Sequence, residues 1–102
     1  MPLDQLDDAD YPAYSTGQAA TLLGVQQAFL RSLDTAALVR PHRSDGGHRR
    51  YSRRQLELAA RVRVLFGEGH TLAATARIIS LEDELAAAHD QIADLRRRLA
   101  EL

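Results

Sequence analysis

Apolar residues recur along the last third of the chain with a regular step. Ile78, Leu81, Leu85, Ala88, Ile92, Leu95, Leu99 and Leu102 are separated alternately by three and four positions, the a/d pattern of a coiled-coil seam. Neither Gly nor Pro occurs after Gly69, so nothing interrupts a helix there. A seam of this length needs a second surface to cover it, and another copy of the chain is the simplest supply. An amphipathic helix folded back on its own domain is the alternative, but it does not require such regularity.

Upstream, the pattern breaks into shorter helical pieces. Ser15-Thr16-Gly17-Gln18 is a capping box: Ser15 caps the amide of residue 18 and Gln18 reaches back to the amide of residue 15. The helix it starts runs to about Leu23, with Ala19, Leu22 and Leu23 on its core face, and Gly24 ends it. A second helix begins after Val25 and runs to about Ala36, with Leu30, Leu33 and Ala37 on one face. Two short helices across a tight glycine turn make a helix-turn-helix.

Leu38-Val39-Arg40-Pro41 reads as extended, Ser44-Asp45-Gly46-Gly47 as a turn, and Arg49-Arg50-Tyr51 as a return strand. A basic hairpin directly after a helix-turn-helix is a wing. Ser52 then caps a third helix through about Glu68, with Leu56, Ala59, Val62 and Leu65/Phe66 inward, and Gly69 stops it. Thr71 caps a short fourth helix to about Ile79. The expected fold is mainly α: a winged helix-turn-helix over 14–79, then a coiled-coil dimerisation helix over 80–102, preceded by an acidic mobile tail over 1–13.

Charge sharpens this outline. The 102 residues carry a formal net charge of −1, but unevenly. Residues 1–14 hold four Asp (Asp4, Asp7, Asp8, Asp10) and no base, whereas residues 31–63 hold nine Arg against three acids. A local basic block is the footprint of an anionic partner, nucleic acid first. Every Lys/Arg position is Arg, which suits bidentate contacts to phosphate and guanine. The chain has no cysteine, which excludes disulfides and thiolate sites. His42, His48, His70 and His89 lack ligand spacing, and no nucleophile–base pair or phosphate-cradling glycine loop occurs. No enzyme, metal or cofactor is expected. Without a signal peptide or an apolar run long enough to span a bilayer, no membrane partner is expected and a cytoplasmic location is the default.

Several stretches resemble the MerR family of transcription regulators over residues 14–102. They are Tyr14-Ser15-Thr16-Gly17-Gln18-Ala19-Ala20, Leu22-Leu23-Gly24-Val25, Leu30-Arg31, Leu38-Val39-Arg40-Pro41, Gly47-His48-Arg49-Arg50-Tyr51-Ser52 and Glu68-Gly69-His70-Thr71-Leu72. The Gly-x-Arg-x-Tyr-Ser run from Gly47 to Ser52 is the most specific. Within the family, Arg50-Tyr51-Ser52 and Arg77-Ile78-Ile79-x-Leu81-Glu82 are similar to the heat-shock-repressor branch. The resemblance implies an antiparallel coiled-coil homodimer on pseudo-palindromic promoter DNA, which such dimers bend. Three positions depart from the family pattern. Ser32 stands where an aromatic often contacts the DNA backbone. Phe29 either packs inward, the favoured reading, or lies on a thymine methyl. Ala37 replaces a frequent glycine, which implies a less sharp turn. No ligand domain or metal-binding cysteine follows the coil in this sequence, so no effector-binding domain is expected.

On that fold, DNA contacts are expected from Gln26, Gln27, Arg31, Arg43, His48, Arg49, Arg50, Tyr51 and Arg53. Gln26 and Gln27 begin the recognition helix, where Gln can read adenine; a merely polar helix start is the alternative. Arg31 contacts phosphate or guanine, or pairs with Asp34 or Asp45. Arg43, His48, Arg49 and Arg50 crowd the wing. Neighbours on a strand alternate faces, so one of Arg49 and Arg50 braces the wing, against Asp45 or Glu57. Tyr51 offers its hydroxyl to phosphate or packs half-buried. Arg53 and Arg54 oppose the dipole at their helix start, and phosphate neutralisation would explain them. Dimerisation falls to Leu81, Leu85, Ala88, Ile92, Leu95, Leu99 and Leu102. Glu82-Asp83-Glu84 and Arg96-Arg97-Arg98 sit at opposite ends of the coil, so antiparallel pairing sets acid beside base. The leading reading is a dimeric, sequence-specific regulator of promoter DNA. An excisionase-like architectural protein, or a coiled-coil adaptor to RNA polymerase or another regulatory protein, are the alternatives. The dedicated coil counts against the first of these and the basic wing against the second.

Overall fold

The structure is a computed structural model and describes residues 7–102. A two-residue strand β1 (Tyr14–Ser15) leads into α1 (Thr16–Leu23) and α2 (Gln27–Thr35). The hairpin strands β2 (His42–Arg43) and β3 (Arg49–Tyr51) follow, then α3 (Arg53–Gly67) and α4 (Leu72–Ala100). Two compact units result, one ending at Gly69 and one running from His70 to Leu102. Among the described residues no helix is long and apolar enough to cross a membrane.

Both helix starts expected from Ser close as reciprocal boxes. Ser15 accepts from the Gln18 amide while Gln18 accepts from the Ser15 amide. Ser52 and Gln55 repeat the arrangement at α3. Each box satisfies two amides that a helix start leaves unpaired. Gly24 ends α1 in the left-handed conformation (φ 67°), open to Gly without a Cβ clash. Arg63 of α3 donates to the Leu23 carbonyl at 2.6 Å, capping the same end.

The first unit is built on Ala19 and Ala20 of α1, Leu30 and Leu33 of α2, Val39, Tyr51 and the α3 stripe Leu56, Ala59 and Val62, all buried. Two expected core positions fall outside it. Leu22 is 63% exposed, because the buried face of α1 passes through Ala19 and Ala20; at 100° per residue Leu22 lies far around from Ala20. Ala37 is exposed, because α2 stops at Thr35. Ala37 itself takes φ 61°, and the amides of Ala37 and Leu38 donate back to Asp34 and Leu33. The turn after α2 is therefore as tight as a glycine would make it, contrary to the blunter turn expected from the alanine.

The wing also differs in detail. Pairing begins after Pro41 rather than at Leu38: Val39 is drawn into the core and proline has no N–H to give a ladder. His42 pairs with Arg50 and Arg43 with Arg49. The Ser44 amide donates to the His48 carbonyl at 2.8 Å, so the turn is confined to the Ser44–His48 loop. β1 lies on the other side of β3, with Tyr14 opposite Tyr51 and Ser15 opposite Arg50. The sheet thus has three strands in the order β1-β3-β2, not the two of the expected hairpin.

In the second unit, the fourth helix and the coil helix are one element, Leu72–Ala100. Thr71 caps it by accepting from the Ala74 amide. The second unit begins at His70, after the Gly69 turn. Thr75 and Ile79 are the buried residues of α4.

The acidic segment departs from expectation as well. Asp4 lies outside the described residues, but Asp7, Ala9 and Asp10 make contacts with the start of α3. The Arg54 amide donates to the Ala9 carbonyl at 3.0 Å, and Asp10 pairs with Arg54 at 2.7 Å.

Candidate nucleic-acid interface

The expected DNA-contact residues divide by what already holds them. Asp34, on the last turn of α2, receives Arg49 Nε at 2.8 Å and Arg43 Nη2 at 3.2 Å. Its side chain is 17% exposed and that of Arg49 25%, so this clamp is partly shielded from water. Arg43 also donates to the Gly47 carbonyl at 3.1 Å, closing the wing turn. Two wing arginines therefore fasten the wing to α2. Arg49 is the brace that strand alternation requires, but its partner is Asp34, not Asp45 or Glu57. Asp34 lies one helical turn beyond Leu30 and is brought to the wing by the sharp chain reversal at Ala37.

Arg50, one residue on, is exposed. The side chains of Arg31, Arg40 and Arg50 make no hydrogen bond or ion pair with another described residue. Asp34 is taken by the wing, so the Arg31–Asp34 pair, the alternative to a DNA contact for Arg31, does not form. Gln26 is the N-cap of α2 but makes no side-chain cap; it and Gln27 are exposed at the helix start, and His48 is exposed on the wing. The first amides of α2 are thus free of a side-chain acceptor, the condition under which a helix start favours an anion.

Tyr51 is fully buried, so its core reading holds and its hydroxyl does not face a phosphate. That hydroxyl has no hydrogen-bond partner of good geometry. Burial pushes its pKa above the ordinary tyrosine value, and the nearby Thr16 hydroxyl offsets this only in part. Phe29 packs edge-on against Phe66, with ring centroids 5.8 Å apart at 75°, the favoured T-shaped geometry, so it too belongs to the packing.

Two residues not singled out from sequence shape the site. Gln55 completes the Ser52 capping box and also donates to the Arg40 carbonyl at 2.6 Å, tying the base of the wing to α3. The Ser-x-x-Gln spacing in the sequence announces the box but not the second bond. Asp10 is the other, through Arg54; the carboxylate holds the Arg54 guanidinium's pKa above its ordinary value by hydrogen bond and charge. Arg53 donates to the Asp7 carbonyl at 3.3 Å. Among the described residues no three His, Asp or Glu side chains are grouped to hold a metal ion.

The seam of α4 is open. Leu81, Leu85, Ile92, Leu95 and Leu99 are 44–68% exposed and Ala88 is exposed. Leu102 falls just past the helix end at Ala100, so it continues the sequence pattern but not the helix. Arg97 and Arg98 engage Asp94 of the same helix at 3.4 and 3.0 Å.

Comparison with known proteins agrees with this geometry. The family model described as MerR HTH family regulatory protein matches residues 14–82. A curated relative, the heat shock protein HspR of Streptomyces coelicolor, is 43% identical over 94 residues, which cover 91% of this chain and 58% of the relative. The chain thus spans a little over half of that protein's length. Among solved structures, HiNmlR, a MerR family regulator lacking the sensor domain and bound to promoter DNA, superposes with a TM-score of 0.62. The identity is 24%, with coverage of 87% of this chain and 74% of that one. A MerR family transcriptional regulator from Bacillus cereus gives a TM-score of 0.61 at 25% identity, with coverage of 86% and 72%.

Proposed function

The chain belongs to the MerR helix-turn-helix family of regulatory proteins, and from that premise we propose that it is a sequence-specific, non-enzymatic DNA-binding transcription regulator. It acts in the cytoplasm as a homodimer on pseudo-palindromic promoter DNA. α2 enters the major groove, where Gln26, Gln27 and Arg31 meet base edges and phosphates. The wing lies beside it, with Arg50 and His48 toward the backbone. The observation that carries this reading is the Asp34 clamp. By tying Arg43 and Arg49 to α2, it makes recognition helix and wing one body, while Arg31, Arg40 and Arg50 have no partner among the described residues. HiNmlR, whose fold the chain shares, is bound to promoter DNA, which supports the same use.

The dimer forms through the α4 seam. Antiparallel pairing brings the acidic start of each coil beside the basic end of the other, whereas parallel pairing sets like beside like. With Glu82→Cys on one chain and Arg97→Cys on the other, an antiparallel coil crosslinks readily; crosslinking of Arg97→Cys to itself would mean a parallel coil.

The decisive test is selection of genomic fragments by the purified protein, followed by footprinting. The expected result is an enriched inverted repeat whose two half-sites are both protected. Enrichment no better than for random duplex would replace a specific regulator with an architectural protein. In titrations, Arg50→Ala is expected to lower the slope of log affinity against log salt by about one. An unchanged slope would remove Arg50 from the interface.

A further inference from the structure

The acidic segment ahead of β1 occupies the start of α3. Its oxygens take three donors there. The Asp7 carbonyl accepts from Arg53 at 3.3 Å, the Ala9 carbonyl from the Arg54 backbone amide at 3.0 Å, and the Asp10 carboxylate from Arg54 Nε at 2.7 Å. The segment is folded for this role: Asp8 accepts from the Asp10 amide at 2.9 Å, and the Tyr11 amide donates to the Asp8 carbonyl at 3.2 Å.

Two guanidiniums and a helix-start amide are also the donors that a nucleic-acid phosphate would take. The segment meets them with two backbone carbonyls and the Asp10 carboxylate, and it lacks any base, since Asp4, Asp7, Asp8 and Asp10 are the only charged side chains in residues 1–14. Its ion pair is weakly held. The Asp10 and Arg54 side chains are 68% and 67% exposed, where such a pair contributes little. The Asp34 clamp, more shielded and with two arginines on one carboxylate, is the fixed counterpart; the Asp10 contact is the releasable one.

We infer that residues 7–10 are a built-in competitor for DNA phosphate: the acidic segment sits on Arg53, Arg54 and the α3 start in the free protein and is displaced when the duplex backbone takes those donors. This rests on the DNA-binding reading above. The segment lowers affinity for every duplex by a common factor, so weak non-specific complexes are the first to fall below occupancy, and any duplex bound tightly enough displaces it.

The absence of cysteine allows a direct test in the full chain. Asp7→Cys carries a single spin label, and the residue's carbonyl remains available to Arg53. The label is expected to be ordered in the free protein and to become mobile when a mixed-sequence duplex is added at low salt. In parallel, Asp8→Asn/Asp10→Asn is expected to tighten duplex binding about three- to tenfold, a gain that shrinks as salt rises. Asp90→Asn/Glu101→Gln, in α4 and at its C-cap, removes the same charge and is expected to change affinity much less. A label that stays ordered on DNA, or an equal gain from the α4 variant, would reduce the segment to a structural cap and overturn the inference while leaving DNA binding intact. If the unmodified chain fails to bind and Asp8→Asn/Asp10→Asn binds, the competitor is upheld. If neither binds, the DNA-binding reading fails and this inference falls with it.

Discussion

The two units treat the same kind of residue in opposite ways. In the first, Leu30, Leu33, Val39, Tyr51 and Val62 are fully buried, so a modest set of side chains closes a core without help. In α4, leucines and an isoleucine at equally regular spacing stand 44–68% exposed. One unit has found its apolar partners within the chain and the other has not. The arginines of the winged unit repeat the division: Arg43 and Arg49 are held by Asp34, whereas Arg31, Arg40 and Arg50 have no such partner. On the proposed function, these unpartnered side chains are where a second molecule is expected, a second coil on the apolar seam and a polyanion on the arginines.

The strongest way to break this contrast is to charge the seam. Leu85→Asp/Ile92→Asp alters two positions in each of two chains. Full burial of each side chain stabilises by about 1.5–3 kcal/mol, so the dimer loses about 6–12 kcal/mol. Sedimentation at micromolar concentration is expected to find monomers, with the thermal unfolding of the winged unit unchanged. A persistent dimer would mean that the seam is not the interface. The converse variant, Leu33→Ala, empties a fully buried site and is expected to cost about 2–5 kcal/mol. Urea unfolding should then show the winged unit melting early, while the helical signal of a paired α4 outlasts it.

The long-range pattern of the chain is legible in its sequence, and so are its signals at helix starts. The Ser15 box, the Ser52 cap and the Gly24 stop depend on residues within one or two helical turns and appear where the spacing requires, and the seam positions from Ile78 to Leu99 lie on one continuous helix. The three-stranded sheet was not legible, because β1 is two residues long and too short to alternate. The Asp34 clamp escaped for another reason: its partners lie nine and fifteen positions away, and only the folded turn after α2 brings them together. Pairing of Arg31 with Asp34 or Asp45 is the alternative to its expected DNA contact, and in the fold Asp34 goes instead to Arg43 and Arg49 of the wing. The contacts of Asp7 and Asp10 with α3 span more than forty positions, beyond the reach of any local pattern.

A milder variant sharpens the division among the arginines. Asp34→Asn removes the carboxylate but keeps the shape. The clamp is only partly shielded, so it is expected to cost about 1 kcal/mol of winged-unit stability. It frees Arg43 and Arg49, so non-specific duplex binding should strengthen at low salt while discrimination between matched and random duplex falls. Unchanged discrimination would mean that the clamp does not position the wing for reading.

The smallest expected effect asks how completely the winged unit satisfies its own backbone. Ala37 is the one described non-glycine residue with positive φ, at 61°, where an L side chain crowds the carbonyl that follows. That conformation costs roughly 1–2 kcal/mol, and the chain accepts it because the Leu38 and Val39 amides both return to the Leu33 carbonyl, which turns the chain toward the wing. Ala37→Gly relieves the crowding but loosens the unfolded chain by about 0.4–1 kcal/mol. The net gain is about 0–1.6 kcal/mol, centred on about 0.8, or a rise of about 3–6 °C in the unfolding midpoint at that central value for a domain of this size. The gain should appear in the winged unit alone, with dimer affinity and duplex affinity unchanged, because Ala37 contributes to neither seam nor expected DNA contact. A loss of stability would mean that the alanine methyl packs favourably enough to outweigh the strain.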